Sequence, residues 1–155
     1  MRRLHPGHID ELMSILTCKK VIGLISDDGF KSDEDLKCRM MALLENLSVY
    51  VLSPRENAVM LFIPMNHIMY DIHITTLSGN YKKDAYSCLL WMVENTNAKK
   101  FIGMIPSCNS AAVAFACKSG MIKEGVLKDA FQRNNKIYNL DIYGATDKMV
   151  LAKRR

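Results

Sequence analysis

The stretch IPSCNSAAVAFACKSGMIKEG, residues 105–125, decides how this chain is read. A strand ends at Pro106, an asparagine follows at 109, small residues run from 110 to 119, Gly120 interrupts them, and a second apolar stretch begins. Asparagine accepts hydrogen bonds from the free N–H groups at a helix start, and glycine takes the left-handed conformation that ends a helix. The spacing therefore predicts a short helix over 110–119, capped by Asn109 and placed between two strands. Ala111, Ala112, Ala114 and Ala116 make that helix thin, so it can lie close against a sheet. Tight packing is by itself a sufficient physical account of them.

Outward from this segment, KKFIGMIP (99–106) reads as a buried strand, and two further strands are predicted over 122–130 and 137–143, joined across QRNNK. Upstream, Ala85, Cys88, Leu89, Met92 and Val93 share one face of a helix predicted over 82–95. Residues 48–77 change to a strand period, with three β-branched and aromatic runs separated by SPREN and MNH, which predicts an antiparallel meander. Nearer the start, Ile9, Leu12, Met13 and Leu16 recur at helical spacing after Pro6-Gly7. A second helix begins at Ser32, where SDED supplies a capping box and Leu36, Met40, Leu43, Leu44 and Leu47 form a buried stripe. SDDGFKS between these two helices is a loop. The predicted order is ααβββαβαββ, a single α/β (α+β) domain whose mixed, mostly antiparallel sheet is flanked by helices.

Composition narrows the function classes. The 155 residues suit one domain, and 49% hydrophobic with 24% charged residues is a globular balance. No uninterrupted apolar stretch, that at 58–63 included, is long enough to span a bilayer, and the start MRRLHPGHID has no apolar secretion segment. A soluble, cytoplasmic protein without membrane association is expected. Five cysteines, odd in number and without C-x-x-C spacing, indicate neither a disulfide framework nor a metal site, and are read as mostly buried thiols. Cys108 and Cys117 are included in that reading, and the eleven methionines are read as core filler. The net charge of +5 is carried by Arg2, Arg3, Lys153, Arg154 and Arg155, so the remaining domain is balanced. Solvated basic tails explain this better than nucleic-acid binding.

The segment N-S-A-A-V-A-F-A-C-K-S-G-M-I-K-E-G resembles the N-x-x-A/S... K-x-G-F-x-x-E-G region of the GNAT superfamily of acetyl-CoA-dependent N-acetyltransferases. Asn109, Ala112, Lys118, Gly120, Glu124 and Gly125 match it, and Met121 keeps an apolar side chain where that family usually has phenylalanine. NNKIYNLDIYG resembles the closing strand of the branch that acetylates ribosomal proteins, with Asp141 at its usual aspartate. The stretch from Tyr81 to Asn109 is also similar to small tailed-phage members of the superfamily, some of them associated with virion assembly.

The resemblance implies an acetyl-CoA slot where the strands at 69–77 and 99–107 splay apart. It puts Thr75, Leu77, Gly79, Lys82, Lys83, Ala85, Asn109 and Phe115 at the cofactor. The pyrophosphate motif Q/R-x-x-G-x-G/A is only partly kept: Asn80, Lys83 and Ala85 take its three positions. Lys82 and Lys83 then offer cationic contacts to phosphate, or form a solvated helix start. Transfer also needs a base, oxyanion donors and a proton for the leaving thiolate. Asp71 and His73 alternate with Tyr70, Ile72 and Ile74, so both point to one face of their strand, where His73 is either the base or a structural histidine. Backbone N–H groups near 74–77 suit the oxyanion. The family's usual acid, a tyrosine, is replaced by Ala116, which leaves Tyr86, Tyr138 and Tyr143 as phenols near by topology, with Tyr138 taken alongside Asp71 and His73 as the catalytic set. The implied partner is a small-molecule or protein amine; phage structural proteins are the alternative, with the virion or host cytoplasm as the location. The exposed ends of the meander offer a surface on which two copies can pair.

Overall fold

Val51 and Leu52 are adjacent in sequence yet belong to opposite cores, as do Val59 and Met60. Successive side chains of a strand point to opposite faces, so a run of apolar residues fits only a sheet covered on both sides. The computed structural model, which describes residues 1–25, 27–77 and 81–154 and only the backbone at 23–25, has that architecture.

Its elements are β1 (Arg2–Arg3), α1 (Ile9–Leu16), α2 (Lys19–Ile25), α3 (Asp33–Glu45), β2 (Tyr50–Arg55), β3 (Ala58–Pro64) and β4 (Met69–Thr76). There follow α4 (Tyr81–Asn95), β5 (Lys100–Pro106), α5 (Ser110–Lys118), β6 (Ile122–Arg133), β7 (Lys136–Thr146) and α6 (Asp147–Ala152). One seven-stranded sheet runs β1-β2-β3-β4-β5-β7-β6. Every neighbouring pair is antiparallel except β4 with β5.

On one face α4 and α6 cover Leu52, Met60, Phe62, Tyr70 and Phe101, with Phe62 and Phe101 fully buried and edge to face at 5.9 Å. On the other, α1 and α3 cover Val49, Val51 and Val59. Local chemistry sets the ends of these elements. Ser32 Oγ accepts from the Asp35 N–H at 3.1 Å to start α3. Asn57 turns β2 into β3 at φ 61°, and Asn134 and Asn135, at φ 53° and 58°, form the two-residue turn between β6 and β7.

The predicted elements are present, with additions that include a 3-10 turn at Pro6–His8 and with several corrections. The strand β1, the short helix α2 and the C-terminal helix α6 were not anticipated, and β6 and β7 run longer than expected because QRNNK contributes only its two asparagines to the turn. Leu47 is not on the buried stripe of α3: the helix ends at Glu45 and Leu47 is 84% exposed. The cysteines are not mostly buried either. Cys88 alone is fully buried, Cys18 is intermediate, and Cys38, Cys108 and Cys117 are exposed. Among the described residues no helix is long and apolar enough to cross a membrane.

Burial, followed by the nearby Asp84 charge, pushes the Cys88 thiol up to about 12. The thiolate is the reactive form. At pH 8 a disulfide reagent is therefore expected to label Cys38, Cys108 and Cys117 in the native protein and Cys88 only after unfolding. Mass spectrometry of the labelled peptides checks this, and early labelling of Cys88 contradicts its burial.

Candidate functional site

The strands β4 and β5 pair only at Met69–Lys100, Tyr70–Phe101 and Asp71–Ile102. Past these three pairs each follows a different antiparallel partner: β4 stays with β3 as far as Thr76–Ala58, while β5 stays with β7 as far as Pro106–Leu140. The sheet consequently splits, and from Ile72 onward the β4 edge has no strand beside it on that side. A cavity of about 630 Å³ occupies the split.

Each wall comes from a different element. Ile72, Ile74 and Thr75 line it from β4, and Gly103 and Ile105 from β5. Lys82, Ala85, Tyr86 and Leu89 line it from one face of α4, at the spacing expected of a single helical row. The thin helix α5 contributes Ala112, Phe115 and Ala116, and its capping residue Asn109 also lines the cavity. Asn109 Oδ1 accepts from the Ala112 N–H at 3.1 Å, so the side chain starts the helix and borders the cavity at once. Gly120 ends the helix at φ 76°, where its backbone lies under Lys153 of the C-terminal segment, whose Nζ donates to the Ser119 carbonyl.

His73 and Asp71 do share a face. The imidazole Nε2 and Asp71 Oδ2 are 3.0 Å apart, with the His73 side chain 51% exposed and the Asp71 side chain 13%. An ionised carboxylate only accepts, so Nε2 is the donor in this contact and Nδ1 is left facing away from Asp71. His73 lines the cavity.

The other expected residues divide. Thr75, Lys82, Ala85, Asn109 and Phe115 line the cavity with His73, while Gly79 lies outside the described residues. Leu77 faces away: its N–H donates to the Asn57 carbonyl at 3.0 Å and its side chain packs in the α1 and α3 core. Lys83 lines a separate groove beside Arg55, Asp84 and Trp91, because it is one position round α4 from Lys82. Tyr138 stands opposite Phe131 on the β6–β7 arm and is not among the cavity residues. Tyr143 packs at 3.9 Å from Cys117 Sγ, and burial, then that thiol, raises its phenol above the usual value. The motif residue Asp141 is held by Lys123 at 2.9 Å, and Glu124 reaches over Gly144 to pair with Lys100, so both serve the strands that shape the cavity.

Of the polar residues that the structure gathers here, the sequence pointed to Asp71 and Tyr86 and passed over Ser119. Among the described residues the buried side-chain oxygens without a partner are Asp71 Oδ1, Tyr86 Oη and Ser119 Oγ. Tyr86 and Ser119 line the cavity and Asp71 holds His73, which also lines it. Folded proteins leave few such atoms unpaired, and each costs about 1–3 kcal/mol, so the two that line this cavity make it the candidate site. No cluster of His, Cys, Asp and Glu among the described residues is arranged for a metal ion.

Within SDDGFKS, Asp27 Oδ1 accepts from the Gly29 N–H, and Asp28 is tied to the β6–β7 turn. Its two carboxylate oxygens accept from the Asn134 and Asn135 N–H groups at 2.7 and 2.9 Å.

The same overall fold occurs in solved structures. A spermidine N-acetyltransferase SpeG of Vibrio cholerae, in complex with CoA and spermine, superposes with a TM-score of 0.78 over 97% of this chain and 96% of that one, at 14% identity. A chimera of Vibrio cholerae SpeG and hSSAT gives 0.79 over 98% and 97%, at 15% identity. The fold is shared with these spermidine N-acetyltransferases. At this identity the likeness speaks for architecture alone. No protein-family model matches the chain, and no curated protein matches it by sequence.

If the cavity oxygens are unpaired in the free protein, Ser119→Ala removes a buried hydroxyl that gains nothing from folding. Its melting temperature is expected to equal or exceed that of the parent. A loss above about 1 kcal/mol in urea denaturation means that Ser119 Oγ has a partner.

Proposed function

We propose that the chain is an acetyl-CoA-dependent N-acetyltransferase that moves an acetyl group onto an amine. The observation that carries this reading is the slot between β4 and β5, open where the β4 edge loses its neighbour after Asp71. An extended chain carrying amides fits such an edge as an added strand, and pantetheine is one. Small residues at Gly103, Ala112 and Ala116 leave room for it, and the unpaired oxygens supply polar contacts. The cosubstrate provides the activated thioester. The neighbour that holds CoA and spermine in the same architecture supports the reading.

In this chain Lys82, on the first turn of α4, offers a cation to the phosphates. A lysine there opposes the helix dipole by about 0.3–1 kcal/mol, and a bound anion removes that cost. Thr75, Ala85, Asn109 and Phe115 border the pantetheine arm, and backbone N–H groups of β4 near Ile74 meet the oxyanion. His73 Nδ1 takes the proton from the attacking amine while Asp71 fixes the ring. An amine is protonated at neutral pH, so a positioned base is worth about 10²–10⁴ in rate. Polyamines are the first acceptors to test, because the neighbours' own names carry spermidine.

A second reading keeps the scaffold without the chemistry, as in a phage assembly factor. Ala116 favours it, since that position offers no proton to a leaving thiolate.

Calorimetric melting with acetyl-CoA tests the first reading against the second. At a hundred times the dissociation constant a stabilisation of about 2.7 kcal/mol is expected, and no shift at millimolar cofactor rejects cofactor binding. Lys82→Ala is expected to weaken CoA about tenfold while sparing pantetheine, and Lys83→Ala to change neither. Equal losses for CoA and pantetheine argue against phosphate contact. His73→Gln should lower turnover by about 10²-fold or more at unchanged cofactor affinity; unaltered turnover removes it as the base.

A further inference from the structure

Transfer from a thioester releases a thiolate, and the cavity wall nearest the family's usual acid is an alanine. Ala116 is 1% exposed and offers only a methyl group. We propose that Tyr86 donates the proton to the departing sulfur, from α4 across the slot. The assignment rests on the acetyl-transfer reading above.

Three observations converge on this residue. Among the described residues it is the one phenol that lines the cavity. Its hydroxyl is buried and has no hydrogen-bond partner, although a buried Tyr O–H usually finds one. Its ring packs in the same cluster as Ile72, Ile74 and Phe115, which are themselves cavity walls. Tyr86 therefore approaches the slot from the α4 face, whereas His73, on the opposite parity of β4 and paired with Leu61 of the other core, lies towards the other face. A donor and a base on opposite sides of the split suit a reaction in which one proton leaves the nucleophile and another joins the leaving group.

The step balances without a further reactant. The amine nitrogen bonds to the thioester carbonyl carbon and its proton passes to His73 Nδ1. The carbon–sulfur bond breaks, its electron pair stays on sulfur, and the Tyr86 proton joins that sulfur to give the free thiol. Tyrosinate and imidazolium are left, opposite in charge, and return to their starting forms by exchange with water as products depart.

The decisive experiment needs no acceptor. The thiol of CoA bound to the protein is titrated by its ultraviolet thiolate absorbance, with the desulfo-CoA complex as blank. A Tyr86 hydroxyl donating to the sulfur stabilises the thiolate, so the bound thiol is expected to titrate about one to two pH units below its midpoint in the Tyr86→Phe complex. Tyr86→Phe keeps the ring and removes an unpaired hydroxyl, so its melting temperature should hold or rise. In the parent protein alone, the bound midpoint should fall below that of free CoA. Equal midpoints in the two complexes, or a parent midpoint at or above the free value, overturn the assignment while leaving cofactor binding intact. Failure of the parent to bind CoA overturns both the cofactor reading and the assignment.

Discussion

Among the described residues, three strand pairs, Met69–Lys100, Tyr70–Phe101 and Asp71–Ile102, are the only ladder between the two halves of the sheet. Everything at the site follows from how short that ladder is. Had β4 and β5 continued side by side, their backbone groups would have paired with each other and the slot would have closed. Each strand instead keeps a full antiparallel partner on its outer side, β3 for one and β7 for the other, so satisfying the outer edges is compatible with leaving the inner ones apart. Tyr70 and Phe101, both buried, clamp the apex. The helices α5 and α4 then border the opening side by side, α5 with small side chains and α4 with a row spaced along one side.

This division explains which parts of the molecule were legible in the sequence. Strand parity alone brought Asp71 and His73 to one face, because the period of two is fixed by backbone geometry. The cap at Asn109 and the stop at Gly120 were legible for a similar reason: each is a local interaction between a residue and its neighbours in the chain. The placement of Leu77 was not. One residue beyond β4 it turns its N–H to Asn57, a partner 20 positions away, and its side chain joins the α1 and α3 core. Lys82 and Lys83 read alike as a basic pair, but a helix separates neighbours by about 100°, and only the register of α4 on the sheet decides which of them reaches the cavity. The exposure of Cys38, Cys108 and Cys117 was hidden by the general burial of free cysteine.

The motif residues that suggested the fold act largely as fasteners. Glu124 crosses Gly144 to Lys100, and Lys123 pairs with Asp141, so β6, β7 and β5 are cross-linked by charge where the slot begins. Lys99 and Asp147, 3.0 Å apart, do the same between the start of β5 and α6, and hydrogen bonding to Lys99 holds the Asp147 carboxyl below its usual range. The unpaired oxygens of Asp71, Tyr86 and Ser119 are the exception to this economy of polar contacts. Two of these oxygens, those of Tyr86 and Ser119, line the cavity, and the third belongs to the carboxylate that holds His73.

The contact of Asp28 with the asparagine turn of β6–β7 makes the loop ahead of α3 and the tip of the long arm a single mechanical unit. Two left-handed residues in succession aim their amides the same way, and one carboxylate fills that concavity as a built-in anion. The Asp28 N–H also donates to the Gln132 carbonyl at 3.1 Å, so three hydrogen bonds tie the loop that follows α2 to the tip of the arm. That tie fixes where the arm's tip sits through residues more than a hundred positions apart in the chain.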